Sequence, residues 1–308
     1  MRTDNHILKN IFIFSISAII FSCQKEVFVP QPPYAGKVSI QGIVEPDSIP
    51  VVYFNRTVPY LTGSTNTADL IIRNAMIKIS NLGESDILTL DSTYSKVDCR
   101  YNYFYKGSLK SKINTMYTLE ITYGSRTYSA TASTTLSQVK IDSVTYTPIF
   151  KDLYGEHEGV ITYFKDIPNE SNYYRYEMLR KVDSTVKRGE KKLYGSCLAN
   201  DTVMFRELGR SVYADLNLES SQIKIVAEPA LSHTADKTKG YYVKGWVRIQ
   251  SLDKATYEFY DQIDRQKLGV SNPFVEPFFL KDGQFGKDAF GFFGSRIRSE
   301  PVKFIFPE

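Results

Sequence analysis

Residues 117–131 read YTLEITYGSRTYSAT, and this stretch decides the fold. Tyr117, Leu119 and Ile121 alternate with polar residues before Gly124, and a second alternating run follows the glycine. A period of two places apolar side chains on one face of an extended strand. Two such runs around a short turn that contains glycine predict an antiparallel β-hairpin with one face in a core.

Short β-rich segments continue this pattern on both sides of the hairpin. Those before it are at residues 38–45, 51–54, 75–80, 87–90 and 101–105, and those after it begin at residue 139 and continue at 160–164, 173–182, 211–218, 223–227 and 241–250. Short strands at this spacing are typical of immunoglobulin-like sandwiches. The sequence therefore predicts a mainly β chain with two β-sandwich domains, residues 37–135 and 136–308.

One helix and an unusual tail interrupt the second β-rich region. Ser251 or Asp253 can cap a helix at residues 254–267, whose apolar stripe is suited to packing against the second sandwich. The tail that follows is rich in proline, glycine and phenylalanine. Because proline cannot donate to a sheet, the pattern predicts an ordered, irregular crossing rather than a regular strand, followed by a last strand at residues 302–306.

The first residues have the pattern of a bacterial lipoprotein signal. Residues 1–22 carry a basic start, with Arg2 and Lys9, and then an apolar run too short to span a bilayer. Cleavage before Cys23 would leave a lipidated cysteine, and residues 23–36, with three prolines, are predicted to form a tether. We expect a membrane anchor through the N-terminal lipid rather than a membrane span.

Composition and motifs exclude several functional classes. The net charge of +4 comes from 38 basic and 34 acidic residues, which alternate along most of the chain. This distribution does not indicate a nucleic-acid-binding protein, which would concentrate its basic residues in one patch. Only His157 and His233 remain once the signal is removed, so we expect no metal site. Residues 283–287, GQFGK, are too short for a phosphate loop and are predicted to be a turn, and we expect no cofactor.

No catalytic constellation emerges from the sequence. The best local group, Glu156-His157-Glu158, would place its imidazole opposite the two carboxylates if it were extended, and an exposed loop is the preferred interpretation. Residues 195–197 contain a serine without a neighbouring histidine, and the Gly-x-Ser-x-Gly motif of serine hydrolases is missing from the chain. We therefore predict a protein that is not an enzyme and has no catalytic residues.

Aromatic residues supply the candidates for contacts with a ligand or partner. Tyr101, Tyr103 and Tyr105 would project from one face of a strand, and Phe278-Phe279 is a second candidate pair. For both sets, the role depends on whether the rings are exposed or buried. Exposed, such side chains can stack on a sugar or seat a partner protein. Buried, they are ordinary sandwich core, which is the commoner use of aromatic residues in strands.

Two cysteines remain after Cys23 is assigned to lipid. Cys99 and Cys197 lie almost a hundred positions apart, and both would face an oxidising compartment. The sequence leaves open a disulfide between them, which needs Cα atoms within about 7 Å, or two separately buried free thiols.

Nearly the whole mature chain resembles the Bacteroidota outer-membrane lipoproteins catalogued as domain-of-unknown-function family 4249. The resemblance lies in Cys23, the strands at residues 38–45 and 51–60, the segment Tyr105-Lys106-Gly107, and the motif Asn272-Pro273-Phe274-Val275-Glu276-Pro277 after the helix. Members of that family look like accessory proteins, and many are encoded beside TonB-dependent receptors. The family has no established catalytic residues to transfer.

The resemblance implies an outer-membrane lipoprotein, exposed at the cell surface, that acts as a non-enzymatic binding or accessory subunit of a TonB-dependent β-barrel receptor in nutrient capture. The alternative is a structural or assembly component of an outer-membrane complex without a small ligand of its own, and a hydrolase with an unfamiliar site is a third. The phylum also glycosylates Asp-Ser/Thr motifs, which makes O-glycosylation a hypothesis for Ser48, Ser92, Ser143, Ser184 and Thr202.

Overall fold

A computed structural model describes residues 34, 36–59, 67–95, 99–152, 155–168, 170–183, 202–215, 221–227, 244–271 and 278–305. The chain divides into a unit at Met1–Ala35, of which only Tyr34 is described, and a compact unit at Gly36–Glu308. The described part is mainly β, with β-sandwich architecture and one α-helix. Among the described residues, no helix is both long enough and apolar enough to cross a membrane.

Seven strands are described in the first half of the compact unit. Their bounds are β1 Val38–Val44, β2 Val51–Arg56, β3 Met76–Ser80, β4 Ser85–Ser95, β5 Arg100–Lys106, β6 Met116–Tyr123 and β7 Arg126–Ser133. A 3-10 helix at Thr67–Asp69 lies between β2 and β3. All the strands expected in this half are present, and β4 is longer than its apolar run because its outer half is held by pairing with β5.

In the second half, the structure describes eight strands and the helix. Their bounds are β8 Ile141–Asp152, β9 Gly155–Lys165, β10 Tyr173–Asp183, β11 Thr202–Ala214, β12 Gln222–Ala227, β13 Lys244–Leu252, α1 Lys254–Ser271, β14 Ala289–Arg298 and β15 Val302–Ile305. The helix begins where the capping pattern predicts and is one turn longer than predicted.

The hairpin at residues 117–131 is confirmed. β6 pairs antiparallel with β7 from Met116 opposite Ser133 to Tyr123 opposite Arg126. Gly124 has a φ of +60° at the turn, a conformation that glycine adopts without steric cost. Tyr117, Leu119 and Ile121, the apolar residues that alternate in the sequence, are fully buried.

The strands pair into one long sheet and one short sheet. The long sheet has twelve strands in the order β11-β10-β13-β14-β1-β2-β5-β4-β3-β6-β7, with β15 added beside β13, and the short sheet has the order β12-β9-β8. β14 joins the two halves because it pairs in parallel with β1 and antiparallel with β13. The two halves therefore share a continuous sheet.

Two hydrophobic cores lie within this unit. The first is enclosed by strands of the first half, and the second lies between the short sheet and the strands β10, β13 and β15. Phe285, Ala289 and Phe293, from the region that the sequence assigns to the second domain, pack in the first core. The division at residue 135 falls between the two cores, but the tail crosses it.

The tail corrects one expectation from the sequence. Its Phe-Gly segment is not an irregular crossing but the regular ten-residue strand β14, placed in the middle of the long sheet. Gly291 has a φ of +124°, and a Cβ there would overlap the backbone carbonyl of Ile40. Glycine in β14 thus permits a close approach to β1, which local sequence patterns do not reveal. The turn predicted at residues 283–287 is confirmed by a hydrogen bond of 3.2 Å from Gly286 N to Gly283 O.

Two tyrosines, buried Tyr174 and partly buried Tyr146, donate hydrogen bonds to carboxylates at the second core. The Tyr146 hydroxyl donates to Glu158 Oε2 at 2.8 Å, and the Tyr174 hydroxyl donates to Asp166 Oδ1 at 2.7 Å. Burial, followed by the bond to Glu158, raises the pKa of Tyr146 to about 12. Burial and Asp166 also raise the pKa of Tyr174.

We expect the second core to lose stability in alkali because of Tyr146. Above pH 10.0, the ordinary phenol value, the unfolded chain loses a proton that folded Tyr146 retains up to about pH 12, so the free energy of unfolding falls across this window. The substitution Tyr146→Phe should make that fall shallower, as measured by denaturant unfolding at a series of pH values. Tyr94→Phe, at an exposed position, is the control. An unchanged pH slope in Tyr146→Phe would contradict the assignment.

Candidate functional site

A cleft of about 320 Å³ opens between the outer face of β1 and β2, the end of β14 and helix α1. We call it the arginine cleft. Its polar lining includes Gln41, Glu45, Ser48, Arg296 and Arg298. Its apolar lining includes the aromatic rings of Tyr53, Tyr260 and Phe292.

Strand alternation explains why these side chains meet. Ile40 and Val44 point into the first core, so Gln41 and Ile43 lie on the outer face of β1, and Tyr53 does the same on β2. β14 runs parallel to β1 and places Ser295 opposite Val44. The charged residues that follow on β14 therefore come level with Glu45 at the end of β1.

Glu45 is held between two arginines. Arg296 Nε donates to Glu45 Oε2 at 2.9 Å, and Arg298 Nε donates to Oε1 at 2.5 Å. The Glu45 side chain is 11 % exposed, whereas those of Arg296 and Arg298 are 22 % and 27 % exposed. Each guanidinium uses only Nε on Glu45, so its two Nη groups retain their hydrogen-bond donors beside the cleft. Each carboxylate oxygen accepts from one arginine.

The aromatic wall of the arginine cleft is partly open. Tyr53 is 40 % exposed and packs edge to face against Phe104, with ring centroids 6.1 Å apart. On the other side, Tyr260 packs edge to face on the buried ring of Phe292 at 5.4 Å. The cleft therefore offers ring surface near two cationic groups, an arrangement suited to a small ligand with both apolar and charged parts.

Asp253 fixes the helix that carries Tyr260. Its Oδ1 accepts from Thr256 N at 2.8 Å, which caps the helix, and its Oδ2 accepts from Ser295 N on β14 at 2.7 Å. Ser251, the other predicted cap, is instead buried in β13. Gly294 leaves room for this contact, because a Cβ there would overlap Thr256 Oγ1.

Removal of the cap should loosen the helix from β14. We expect Asp253→Ala to lower the free energy of unfolding by about 2 kcal/mol, because it removes an N-cap and a bond to a buried backbone amide. Asp253→Asn should lose less, since its amide oxygen still accepts. Asp261→Ala, which removes only a surface ion pair with Arg265, should cost about 0.4 kcal/mol. Chemical denaturation measures all three, and an Asp253→Ala protein as stable as Asp261→Ala would contradict the capping role.

A row of polar side chains extends from the cleft beneath the helix. Gln250 lies between Arg175 and Arg298 in the register of β10, β13 and β14, so the three side chains share one face of the sheet. The Arg175 guanidinium lies 3.9 Å from the ring centroid of Tyr260. Gln250 donates to buried Glu177 at 3.0 Å. The face around the cleft is therefore rich in arginine.

The predicted tyrosine row is graded rather than uniform. Tyr105 is core, only 2 % exposed, and its hydroxyl donates to the backbone oxygen of Ile72 at 2.6 Å. Tyr103 is half-buried under the Arg73 guanidinium. Tyr101 is 54 % exposed and packs against Tyr94 at 5.2 Å. Tyr105 is therefore core, whereas Tyr101 is exposed, and its contact with a ligand or partner stays a prediction.

The remaining contact candidates, Phe278 and Phe279, belong to no strand or helix. Phe278 is half-buried, and Phe279 is 56 % exposed. Both follow the residues 272–277, the family-like motif, which lies outside the described residues. Neither phenylalanine lines the arginine cleft.

The structure settles part of the cysteine question. Cys99 is disulfide-bonded rather than a free thiol. The other two cysteines of the chain, Cys23 and Cys197, lie outside the described residues, so the pairing of Cys99 with Cys197 stays a prediction, as does lipidation of Cys23.

The candidate glycosylation sites are in varied surroundings. Ser92 and Ser143 are exposed on β4 and β8, whereas Ser48 is half-buried at the rim of the arginine cleft. Thr202 begins β11, with its side chain undescribed, and Ser184 lies outside the described residues. Modification stays a hypothesis for all five.

The constellation around His157 does not form a site. These residues lie in strand β9, not in the loop expected from the sequence, because β8 pairs with them. Glu156 forms a salt bridge with Lys151 at 2.7 Å, while Glu158 is buried against Tyr146. Across the residues that the structure describes, no group of three or more histidine, cysteine or acidic side chains is arranged to hold a metal ion.

Sequence reasoning missed the residues that make the cleft. Arg296 and Arg298 have the spacing of neighbours on one face of a strand, which was a usable signal. Their partner Glu45 is some 250 positions earlier, and no local pattern joins them. Tyr260 belongs to the apolar stripe foreseen for the helix, but its neighbours could not be inferred.

The fold and cleft define the class of this protein: a two-core β-sandwich protein in which one helix borders a cationic cleft. A family model described as a domain of unknown function, DUF4249, matches residues 25–295, so the chain belongs to that family. No curated protein matches the chain.

Proposed function

We propose that this protein is an outer-membrane lipoprotein, anchored through Cys23 and exposed at the cell surface, that binds a ligand for a TonB-dependent β-barrel receptor in nutrient capture. It acts without catalysis. The Cys23 signal pattern and the family resemblance support the location and the partner. The arginine cleft is the observation that carries the binding role.

The lining of the cleft supports binding rather than catalysis. Its only described carboxylate is Glu45, and both oxygens of Glu45 accept from arginines. The described lining contains neither histidine nor cysteine. Nucleophilic catalysis needs a group that is free to attack a substrate, and a carboxylate with both oxygens engaged by arginines is poorly placed to do so.

Purification from native membranes tests the location and the partner. The wild-type protein, extracted in mild detergent, should fractionate with the outer membrane, incorporate a labelled fatty acid and bring down a β-barrel protein. Cys23→Ser should lose the label and the outer-membrane fraction, and Gly83→Ala, at an open turn position, serves as the control that leaves the lipidation signal and the fold intact. Recovery of the wild-type protein alone, under several mild detergents, would overturn the receptor partnership.

A structural role in an outer-membrane complex is the second candidate. It is favoured by the outer end of the β4–β5 hairpin, where Tyr94 and Tyr101 are 44 % and 54 % exposed and pack edge to face against each other. Exposed tyrosines are common at protein interfaces because their rings are rigid and amphipathic. The double substitution of Tyr94 and Tyr101 by serine should release a partner in this case, while changes in the arginine cleft should leave the complex intact.

A further inference from the structure

We propose that the arginine cleft binds a small organic oxyanion, a carboxylate or a phosphate monoester, whose anionic group contacts the Nη groups of Arg296 and Arg298 and whose apolar part lies against Tyr53 and Tyr260. This inference rests on the proposed binding function and names the class of ligand.

The charge of the cleft is the first argument. Arg296 and Arg298 share the single carboxylate of Glu45, so this trio carries one positive charge in excess. Arg175 lies outside the lining, against the ring of Tyr260 and on the same face as the carboxylate of Glu177, so it leaves this excess unchanged. A cationic group in a concave, partly dry site is screened less than one on an open surface, so it favours an anionic ligand.

The remaining hydrogen-bond donors are the second argument. Each guanidinium has five N–H donors in a planar fork, and Glu45 occupies only Nε of each. The Nη groups are the part of arginine that pairs with two oxygens of a carboxylate or phosphate. Glu45 also holds both side chains in place before any ligand arrives, which reduces the entropy lost on binding.

The size and wall of the cleft are the third argument. A volume of about 320 Å³ lies at the lower end of the range for small-molecule sites and is too small for a folded partner. Tyr53 and Tyr260 provide ring surface, while Gln41 and Ser48 can bond to polar groups of the ligand. The combination fits an amphipathic molecule with one anionic end.

The experiment uses the mature lipidated protein in detergent with three matched probes. Phenylpropionate and phenyl phosphate carry the anion, and phenylpropanol is the neutral control. Calorimetric titration should show that at least one anionic probe binds about tenfold or more tightly than the alcohol, with affinity falling as salt rises. The stronger of the two anions tells whether a carboxylate or a phosphate is preferred.

Variants then locate the site. Arg296→Gln and Arg298→Gln should each weaken the preferred anion about tenfold or more, and Tyr53→Ala should weaken all probes by a smaller factor. Arg126→Gln, on the surface beside Asp288, is the matched control and should change nothing. If an arginine variant fails to fold, the salt dependence of the wild type and the Tyr53→Ala result still decide.

Equal affinity for the alcohol and the anions, or no binding of either anion, would overturn the proposal and leave Glu45, Arg296 and Arg298 as a structural clamp between β1 and β14. Full anion affinity in folded arginine variants would overturn it too. Failure of this inference can be distinguished from failure of the proposed function. If a β-barrel co-purifies with the protein but neither anion binds, the accessory role stands and only this ligand class is rejected. If an anion binds but no β-barrel co-purifies, the ligand class stands and the receptor partnership is rejected.

Discussion

Gly291→Ala should unfold the protein or lower its free energy of unfolding by about 4 kcal/mol. Gly291 lies in β14 opposite Ile40 in β1, with a φ of +124° that residues with a Cβ avoid. The added Cβ would overlap the Ile40 carbonyl, so the two strands would have to separate. Because β14 links the two halves and places Phe293 in the first core, this separation would disrupt both pairing and packing.

The comparison for Gly291→Ala is Gly83→Ala. Gly83 lies in the turn between β3 and β4, and a Cβ there would have no neighbour within 4 Å. That change should alter stability by less than about 0.5 kcal/mol. Urea unfolding followed by tryptophan fluorescence measures both, because the one tryptophan of the chain, Trp246, lies in β13, a strand that pairs with β14. If the two variants are equally stable, the close contact between β14 and β1 is not needed for folding.

Loss of the disulfide at Cys99 should have an effect of similar size. We expect Cys99→Ser to lower the free energy of unfolding by about 2–5 kcal/mol, because the bond restricts the unfolded chain. If the partner is Cys197, the closed loop is almost a hundred residues long, which places the effect toward the upper end. Reductant should destabilise the wild-type protein by the same amount and have no effect on the variant.

Thiol counting identifies the partner of Cys99. With Cys23 lipidated and Cys99 bonded to Cys197, the unfolded, unreduced wild type has no reactive thiol, and Cys99→Ser exposes one. Cys197→Ser should give the same thiol count and the same loss of stability. Cys23→Ser should leave the disulfide and the stability of the folded part unchanged. A free thiol at Cys99 in Cys23→Ser would instead show that these two residues pair.

The strands of the first half were predictable because each carries its own signal. Alternating residues in β1, β3, β6 and β7 fix which side chains face the core, and glycine at position 124 marks the turn. The start of the helix was likewise encoded by Asp253 and the apolar stripe behind it. These features depend on neighbours in sequence, so local patterns suffice to find them.

β14 shows where local patterns fail. The glycines and phenylalanines of residues 289–294 read as irregular because no alternation orders them, yet they form a central strand. The strand forms because distant parts of the chain pack closely against its glycines. β1 lies against Gly291, and the helix lies against Gly294. The burial of almost every residue from Ala289 to Ser295 reflects contacts on both faces, which erases the two-residue period.

The sequence by itself determined the β class, most strand positions, and the described helix with its two candidate caps, because these follow from spacing and turn chemistry within short windows. Only the tertiary structure decided that the tail joins the two halves and that the tyrosine row runs from core to solvent. It alone also placed Glu45 between Arg296 and Arg298. Parallel pairing of β14 with β1 joins chain segments about 250 residues apart, and such long-range contacts leave no periodic trace in either segment.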